Sequence, residues 1–262
     1  MCLLVFAVNA HPRFRLIVAG NRDEFHARDT AAAGWWSGNP SLLGGRDQQG
    51  GGTWLGVGTT GRFAAITNIR DRIPAPVNAP TRGQLVSEFV RARVSAIDYL
   101  DHLRPRAQAF AGFNLVVGDE KAVNFFSSRS QRRVRLERGI HGLSNDGLDT
   151  PWPKVIRAKE GIRRLLLQDD PDEEGIFEIF SNRSIAPDDE LPDTGVGLEL
   201  ERMLSPCFIV NPHYGTRSTT LVFISNDGYV RFSERQFDAA GKMNGQQTFE
   251  FAIVEEGAGR TA

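Results

Sequence analysis

The chain has little cysteine: only Cys2 and Cys207 in 262 residues. Two cysteines are too few for the disulfide framework of a small secreted domain, so the sequence favours a reducing, cytoplasmic location. The opening segment, MCLLVFAVNA, contains an apolar run but lacks the cationic start and the small-residue cleavage site of a signal peptide. We therefore predict an intracellular protein without an export segment.

Long apolar runs and an excess of either charge are also missing. No stretch reaches the roughly 18 consecutive apolar residues of a membrane-spanning helix. Lys and Arg total 31 against 32 Asp and Glu, which gives a net charge of −1 and no basic field to attract nucleic acid or anionic lipid. The arginines between Arg129 and Arg138 alternate with other residues, as on the solvent face of a strand. We predict neither a nucleic-acid partner nor a transmembrane segment.

Motifs for metals and nucleotides are absent or out of context. The five histidines form no i, i+4 pair and have no cysteine pair beside them, so no metal site is predicted. Gly56 to Gly61 spells the dinucleotide fingerprint GxGxxG, but the fingerprint requires a helix to begin at its third glycine. Strand-like RFAAITN follows instead. The segment is therefore predicted to connect two strands.

The apolar pattern predicts strands at both ends of the chain and helices between them. Residues 2–8 and 14–20 are continuous apolar runs joined by a short polar turn, which is typical of a buried hairpin. Residues 81–103 show three- and four-residue apolar spacing, which predicts one amphipathic helix. The remaining predictions are strands in 34–68 and 113–145, helices in 151–167 and 173–180, a loop in 181–197 and a three-strand C-terminal meander. This order favours an α+β fold in one domain, 1–262.

Cys2 is the first candidate functional residue because of its position. Methionine aminopeptidase generally removes Met1 when a small residue follows, and the mature chain would then carry a thiol and a free α-amine on one residue. An α-amine has a pKa of about 7.7 to 8.0, which suits a general base for the adjacent thiol. The alternative is that Cys2 is only a small apolar residue starting a buried strand.

The polar run Asn21-Arg22-Asp23-Glu24 follows the second apolar run and, in a hairpin, lies beside the start of the first. Asp23 could hold the α-ammonium group, and Arg22 could pair with the thiolate. The alternative is an ordinary solvated turn.

Nine segments carry a more specific signal: MCLLVF, AGNRDEF, GGTWLGV, AAITN, GFNLV, GLSN, TPWPK, YGTRSTT and FSER. In order and spacing, nearly from end to end, they resemble the transport and Golgi organisation 2 family, which is also named after its NRDE motif. That family is similar in plan to N-terminal-nucleophile hydrolases, particularly choloylglycine hydrolases and penicillin V acylases. The resemblance implies a four-layer αββα sandwich with the N-terminal strand at its centre.

The resemblance also implies a set of site residues, which are Cys2, Arg22, Asp23, Asn68, Asn145 and Arg217. Cys2 would be the nucleophile and the two asparagines would lie near the oxyanion, although either asparagine could instead cap a turn. Glu24, beside Asp23, departs from the acylase pattern and argues against a bile-salt substrate. We predict that at least four of the six residues line one pocket around Cys2, with Asp23 the acid closest to the Cys2 nitrogen.

Two functions are compatible with these residues. The first is a cofactor-independent hydrolase of a linear amide or of an acyl thioester such as an acyl-coenzyme A. The second is a non-catalytic protein that binds and moves haem, acyl-coenzyme A or lipid on the same scaffold, because a fold does not fix an activity. In a haem protein, Cys2 or a histidine would ligate the iron.

Overall fold

The computed structural model describes residues 2–254, which form thirteen strands and five α-helices. The strands are β1 Cys2–Val8, β2 Phe14–Phe25, β3 Thr30–Trp36, β4 Asn39–Asp47, β5 Leu55–Gly58, β6 Phe63–Asn68, β7 Phe113–Gly118, β8 Val123–Ser127, β9 Arg133–Arg135, β10 Gly139–Leu143, β11 Tyr214–Ser225, β12 Tyr229–Phe237 and β13 Met243–Ala252. The helices are α1 Gly83–Arg91, α2 Ala96–Leu103, α3 Pro153–Leu165, α4 Glu173–Phe180 and α5 Leu198–Leu204. No helix among the described residues is long and apolar enough to cross a membrane.

The strands form two antiparallel sheets. A six-stranded sheet has the order β10-β1-β2-β11-β12-β13, so the N-terminal strand lies inside it. A seven-stranded sheet runs from β3 to β9 in chain order. Each sheet covers one face of the other and carries helices on its outer face.

Three apolar layers hold these elements together. Between the sheets lie side chains such as Phe6 and Phe63. Leu85 of α1 packs on the outer face of the seven-stranded sheet. Val155 of α3 and Phe177 of α4 pack on the outer face of the six-stranded sheet. The predicted αββα sandwich is confirmed.

Strand β1 is buried on both faces, which explains its unbroken apolar run. Leu4 and Phe6 belong to the layer between the sheets, whereas Leu3 and Val5 belong to the layer under α3 and α4. Each fully buried side chain of this kind stabilises the fold by roughly 1.5–3 kcal/mol. The predicted hairpin is confirmed, since β1 pairs antiparallel with β2 from Cys2 opposite Arg22 to Val8 opposite Leu16.

Other element predictions have mixed outcomes. No helix begins at Gly61, as predicted, but Gly56–Gly58 belong to β5 and only residues 59–62 form the connection to β6, with Gly61 at φ +74°. The single helix over 81–103 is wrong. Helix α1 ends at Arg91, and a separate helix, α2, begins at Ala96. The Ser95 side chain caps α2 by accepting a hydrogen bond from the Asp98 amide. The short helix α5, which directly follows the predicted loop, was missed.

Candidate functional site

Cys2 and Arg22 lie side by side at one end of the sandwich. Cys2 begins β1, and Arg22 occupies the opposite position on β2. Both are buried, with 8% and 5% of their surface exposed. The Arg22 guanidinium lies 4.5 Å from the ring centre of Trp54, which the seven-stranded sheet contributes through the GGTWLGV segment. The two sheets thus meet around the thiol.

The NRDE residues belong to strand β2, so the alternative of a solvated turn is wrong. Successive side chains of a strand point to opposite faces. Asn21 points toward the helices, where its amide donates to the carbonyls of Phe180 and Cys207 at 2.8 and 2.7 Å. Arg22 points toward the other sheet. The motif therefore places Asn21 and Asp23 behind the strand, on the helix side. Arg22 and Glu24 lie in front of it, on the side of the other sheet.

Asp23 is 1% exposed and is held by β11. The Thr216 hydroxyl donates to its Oδ1 at 2.7 Å, and the Tyr214 hydroxyl donates to its backbone carbonyl at 2.9 Å. Burial raises the pKa of Asp23, and the positive charge of Lys154 opposes that rise. A buried carboxylate of this kind needs a cation nearby to stay ionised.

Lys154 supplies such a cation, although it is not among the predicted site residues. It follows the N-terminal proline of α3, and only 1% of it is exposed. Its ammonium group donates to the Leu204 carbonyl at 3.0 Å. Burial lowers the pKa of Lys154, while Asp23 works in the opposite direction. The TPWPK segment was a signal, since a lysine inside an otherwise apolar helix start is unusual for a core.

Four of the six predicted residues line one pocket of about 290 Å³: Cys2, Arg22, Asp23 and Asn68. Asn68 is half-buried at the end of β6, so the opposite sheet contributes one residue to the pocket that Cys2 lines. A larger cavity of about 760 Å³ lies near Phe14, Asp172 and Tyr229 and contains none of the six. We assign the site to the smaller pocket because the candidate nucleophile lies there.

Asn145 lies directly behind the pocket wall. It is fully buried, and its amide donates to the backbone carbonyl of Asn68 at 2.8 Å. The neighbouring Ser144 hydroxyl donates to the Cys2 carbonyl at 3.1 Å. Asn145 therefore fixes the end of β6, and with it the position of Asn68.

Arg217 does not line the pocket. It lies in β11 where the pairing with β2 shifts between Thr216 and Ser218. Its Nη1 donates to the carbonyls of Phe25, His26 and Arg28 at 3.1 to 3.3 Å. Arg217 thus ties the segment after NRDE to the sheet.

The Cys2 thiol is not activated by its surroundings alone. Burial raises its pKa, whereas the positive charge of Arg22 lowers it by a smaller amount. A thiol in this state is mostly protonated at neutral pH, so attack requires a base that accepts its proton. In residues 2–254 no group of three or more His, Cys, Asp or Glu side chains could hold a metal ion.

An internal N-terminal strand that begins with a pocket-lining cysteine, in a four-layer sandwich, defines an N-terminal-nucleophile hydrolase type of fold. Two solved structures share the architecture, each with a TM-score of 0.51. One is a Caenorhabditis elegans ortholog of N-acylethanolamine-hydrolyzing acid amidase, at 11% identity over 84% of this chain and 92% of the other. The second is a mutant conjugated bile acid hydrolase from Clostridium perfringens, at 9% identity over 99% and 100%.

The family follows from the sequence comparisons. The family model for Transport and Golgi organisation 2 matches residues 1–239. A bovine Transport and Golgi organization protein 2 homolog is 33% identical over 90% of this chain and 92% of its own length. The human homolog is 32% identical over 97% and 99%. The chain belongs to the transport and Golgi organisation 2 family.

Proposed function

We propose that the protein is an N-terminal-cysteine hydrolase of a linear amide or an acyl thioester. The observation that carries the proposal is the pocket in which Arg22, Asp23 and Asn68 surround Cys2. These residues come from two strands of one sheet and one strand of the other. Solvated or capping roles would not require them to meet.

The proposed reaction begins after removal of Met1, when Cys2 carries a free α-amine. The sulfur attacks the substrate carbonyl carbon, and the α-amine accepts the thiol proton. The amine returns this proton to the departing nitrogen or sulfur as the acyl-enzyme forms. Water, deprotonated by the same amine, then attacks the acyl carbon. The C–S bond breaks, the sulfur takes back the proton from the amine, and the acid is released. Asp23 supports the amine in its protonated form.

Asn68 is the proposed donor to the oxyanion. Its side chain forms no hydrogen bond with another described residue, and its backbone is anchored by Asn145. Losing one oxyanion donor typically lowers the rate by about 10²- to 10³-fold. Asn145 contributes by holding Asn68, and Arg217 contributes by holding the chain that follows Asp23.

The experiment compares wild type, Cys2→Ala and Cys207→Ala on a panel of amides and acyl thioesters. Intact-protein mass spectrometry first establishes whether Met1 is removed. Cys2→Ala is expected to lower turnover by more than about 10³-fold. Cys207 is buried among the helices, outside the pocket, and serves as the matched control. Equal turnover by wild type and Cys2→Ala would sink the proposal.

The second candidate is a non-catalytic binder of haem, acyl-coenzyme A or lipid. Burial raises the pKa of the Cys2 thiol, which suits a binding role because binding requires no thiolate. If haem binds, Cys2 is the pocket residue that could ligate the iron, since no histidine is among the described residues lining the pocket. Titration with haem, followed at the Soret band in wild type and Cys2→Ala, separates the candidates. Binding without any turnover would favour the second.

A further inference from the structure

The start of helix α1 opens on the Cys2 pocket. Thr81, Arg82 and Gly83 line it. No side chain caps this end of α1, and its first turn contains no acidic residue. The first amides of a helix carry a partial positive charge that attracts anions. This helix start is insufficient alone, because the amides of Gln84 and Leu85 already donate to the carbonyls of Thr81 and Arg82, but here two guanidinium groups accompany it.

Two glycines bring the helix start close to the pocket. A side-chain carbon on Gly52 would lie 2.3 Å from the backbone carbon of Gly83, so only glycine permits this approach. The Thr53 amide also donates to the Gly83 carbonyl at 3.2 Å. The GGTW segment therefore packs against the start of α1 and also positions Trp54, whose ring stacks on Arg22.

Arg82 is the first guanidinium group. It donates to the Gly112 carbonyl at 3.1 Å and forms no ion pair with any described residue. Burial lowers the pKa of Arg82, and a negative charge on Cys2, which lines the same pocket, opposes that shift.

Arg22 is the second. It is 5% exposed, and its Nη1 is buried without a hydrogen-bond partner among the described residues. A buried guanidinium nitrogen without a hydrogen bond lowers the stability of the fold. Such nitrogens are therefore unusual outside functional sites. Its acid neighbour is Glu24, whose Oε2 lies 3.8 Å from Nη2.

The acids of the pocket do not neutralise both arginines. Asp47 forms an ion pair with Arg28, in which Arg28 Nη2 lies 2.6 Å from Asp47 Oδ2. Glu24 is shared between Arg22 and Arg28, at 3.8 and 4.0 Å. The negative charge of Asp23 is balanced by the positive charge of Lys154, which lies on the helix side of the strand. The front of the pocket retains one guanidinium in excess.

We propose that this pocket binds an acyl compound carrying an anionic group, a carboxylate or a phosphate, which lies between Arg22 and Arg82 at the start of α1. The inference rests on the proposed function and narrows its substrate class. An anion so placed would lie beside the thiol, on the leaving-group side of the scissile bond.

The test measures binding with Cys2→Ala, in which turnover is removed. Isothermal titration compares three probes with one octanoyl chain: N-octanoylglycine, N-octanoyl-phosphoethanolamine and neutral N-octanoylglycinamide. We expect at least one anionic probe to bind about 10-fold or more tightly than the neutral one. Arg82→Gln is expected to remove that preference while leaving the neutral probe's affinity unchanged. The relative affinities of the two anionic probes distinguish carboxylate from phosphate.

Arg91→Gln is the matched control, because Arg91 is exposed at the other end of α1. Arg82→Lys, which keeps the charge, should retain most of the preference, and thermal unfolding checks that each variant folds. Equal affinities for all three probes, no binding of any probe, or an equal loss for all three in Arg82→Gln would overturn the inference.

Failure of the inference and of the proposed function are distinguishable. If wild type hydrolyses charged and neutral probes alike and binds them equally, only the anion site is wrong. If the anionic preference is present but no amide or thioester is turned over, the anion site holds and hydrolysis by Cys2 fails.

Discussion

At the residue scale, the NRDE motif separates charges across one strand. Arg22 and Glu24 belong to the front of the pocket, with Trp54 and Arg28. Asp23 interacts with Lys154 from the helix layer. Residues 204–209 link Lys154 to Asp23. The Leu204 carbonyl accepts a hydrogen bond from Lys154, and the Ile209 amide donates to the Thr216 hydroxyl, which itself donates to Asp23. The acid that would support the α-amine therefore depends on a lysine outside the pocket.

We expect Lys154→Met to lower the pKa of the Cys2 thiol. Without its cation the buried Asp23 carboxyl takes up a proton, and loss of that negative charge favours the thiolate. A direct effect of removing a positive charge would have the opposite sign and raise the thiol pKa. The measurement is the pH dependence of Cys2 alkylation by iodoacetamide, with the site assigned by mass spectrometry.

Further variants show whether Lys154 changes the thiol pKa through Asp23 or directly. Asp23→Asn should lower the thiol pKa in the same direction, and Lys154→Met should add nothing further in that background. Lys159→Met is the control, because Lys159 lies on the same helix but pairs with Asp149. A thiol pKa that rises in Lys154→Met would show that the lysine acts on the sulfur directly rather than through Asp23.

At the element scale, local patterns predicted much of the fold. The β1–β2 hairpin and α4 follow from apolar periodicity, which is local in the chain. The break between α1 and α2 was missed because it depends on one capping side chain, Ser95. TPWPK marks Lys154 as unusual, but the partners of Lys154 and Arg82 could not be predicted, because Asp23 and Cys2 are distant in sequence and meet them only through packing.

We expect Gly52→Ala to push α1 away from the pocket. The new methyl group would collide with backbone atoms of Gly83 and Gln84, which cannot move without the helix. Overpacking of this kind typically costs about 1–3 kcal/mol of unfolding free energy. Urea unfolding measures the loss, and the anionic probe should bind more weakly.

Gly34→Ala is the matched control for the glycine prediction. Gly34 lies in β3, and a side-chain carbon there would meet nothing within 4 Å. It should change the unfolding free energy by less than about 1 kcal/mol and leave probe binding intact. If both variants unfold alike, close packing at Gly52 does not hold the helix start in place.

At the scale of the whole molecule, the two sheets are joined by Glu234. This residue lies on β12 of the six-stranded sheet and is 1% exposed. Its Oε1 accepts from the Ala33 amide of the seven-stranded sheet at 2.8 Å and from Gln236 at 2.9 Å. Its Oε2 accepts from the Thr220 hydroxyl at 3.1 Å. One carboxyl group therefore satisfies donors from both sheets.

Burial raises the pKa of Glu234 above its ordinary value of 4.5, and this predicts how stability depends on pH. Above 4.5 the folded protein holds the proton more tightly than the unfolded chain does. The contribution to stability is therefore full below 4.5 and is lost as pH rises through the folded pKa. Glu234→Gln retains an acceptor for Ala33 and cannot ionise. We expect its unfolding free energy to fall less than that of wild type as pH rises.

Urea unfolding from about pH 4.5 to about pH 7.5 measures this difference. Glu234→Ala should lose about 2–4 kcal/mol at every pH, because it leaves the Ala33 amide without an acceptor and opens a cavity. The exposed Glu250, which pairs with Arg231, provides the control, and Glu250→Gln should stay within about 0.5 kcal/mol of wild type. A parallel fall of wild type and Glu234→Gln would mean that Glu234 joins the sheets without being the group whose ionisation weakens them.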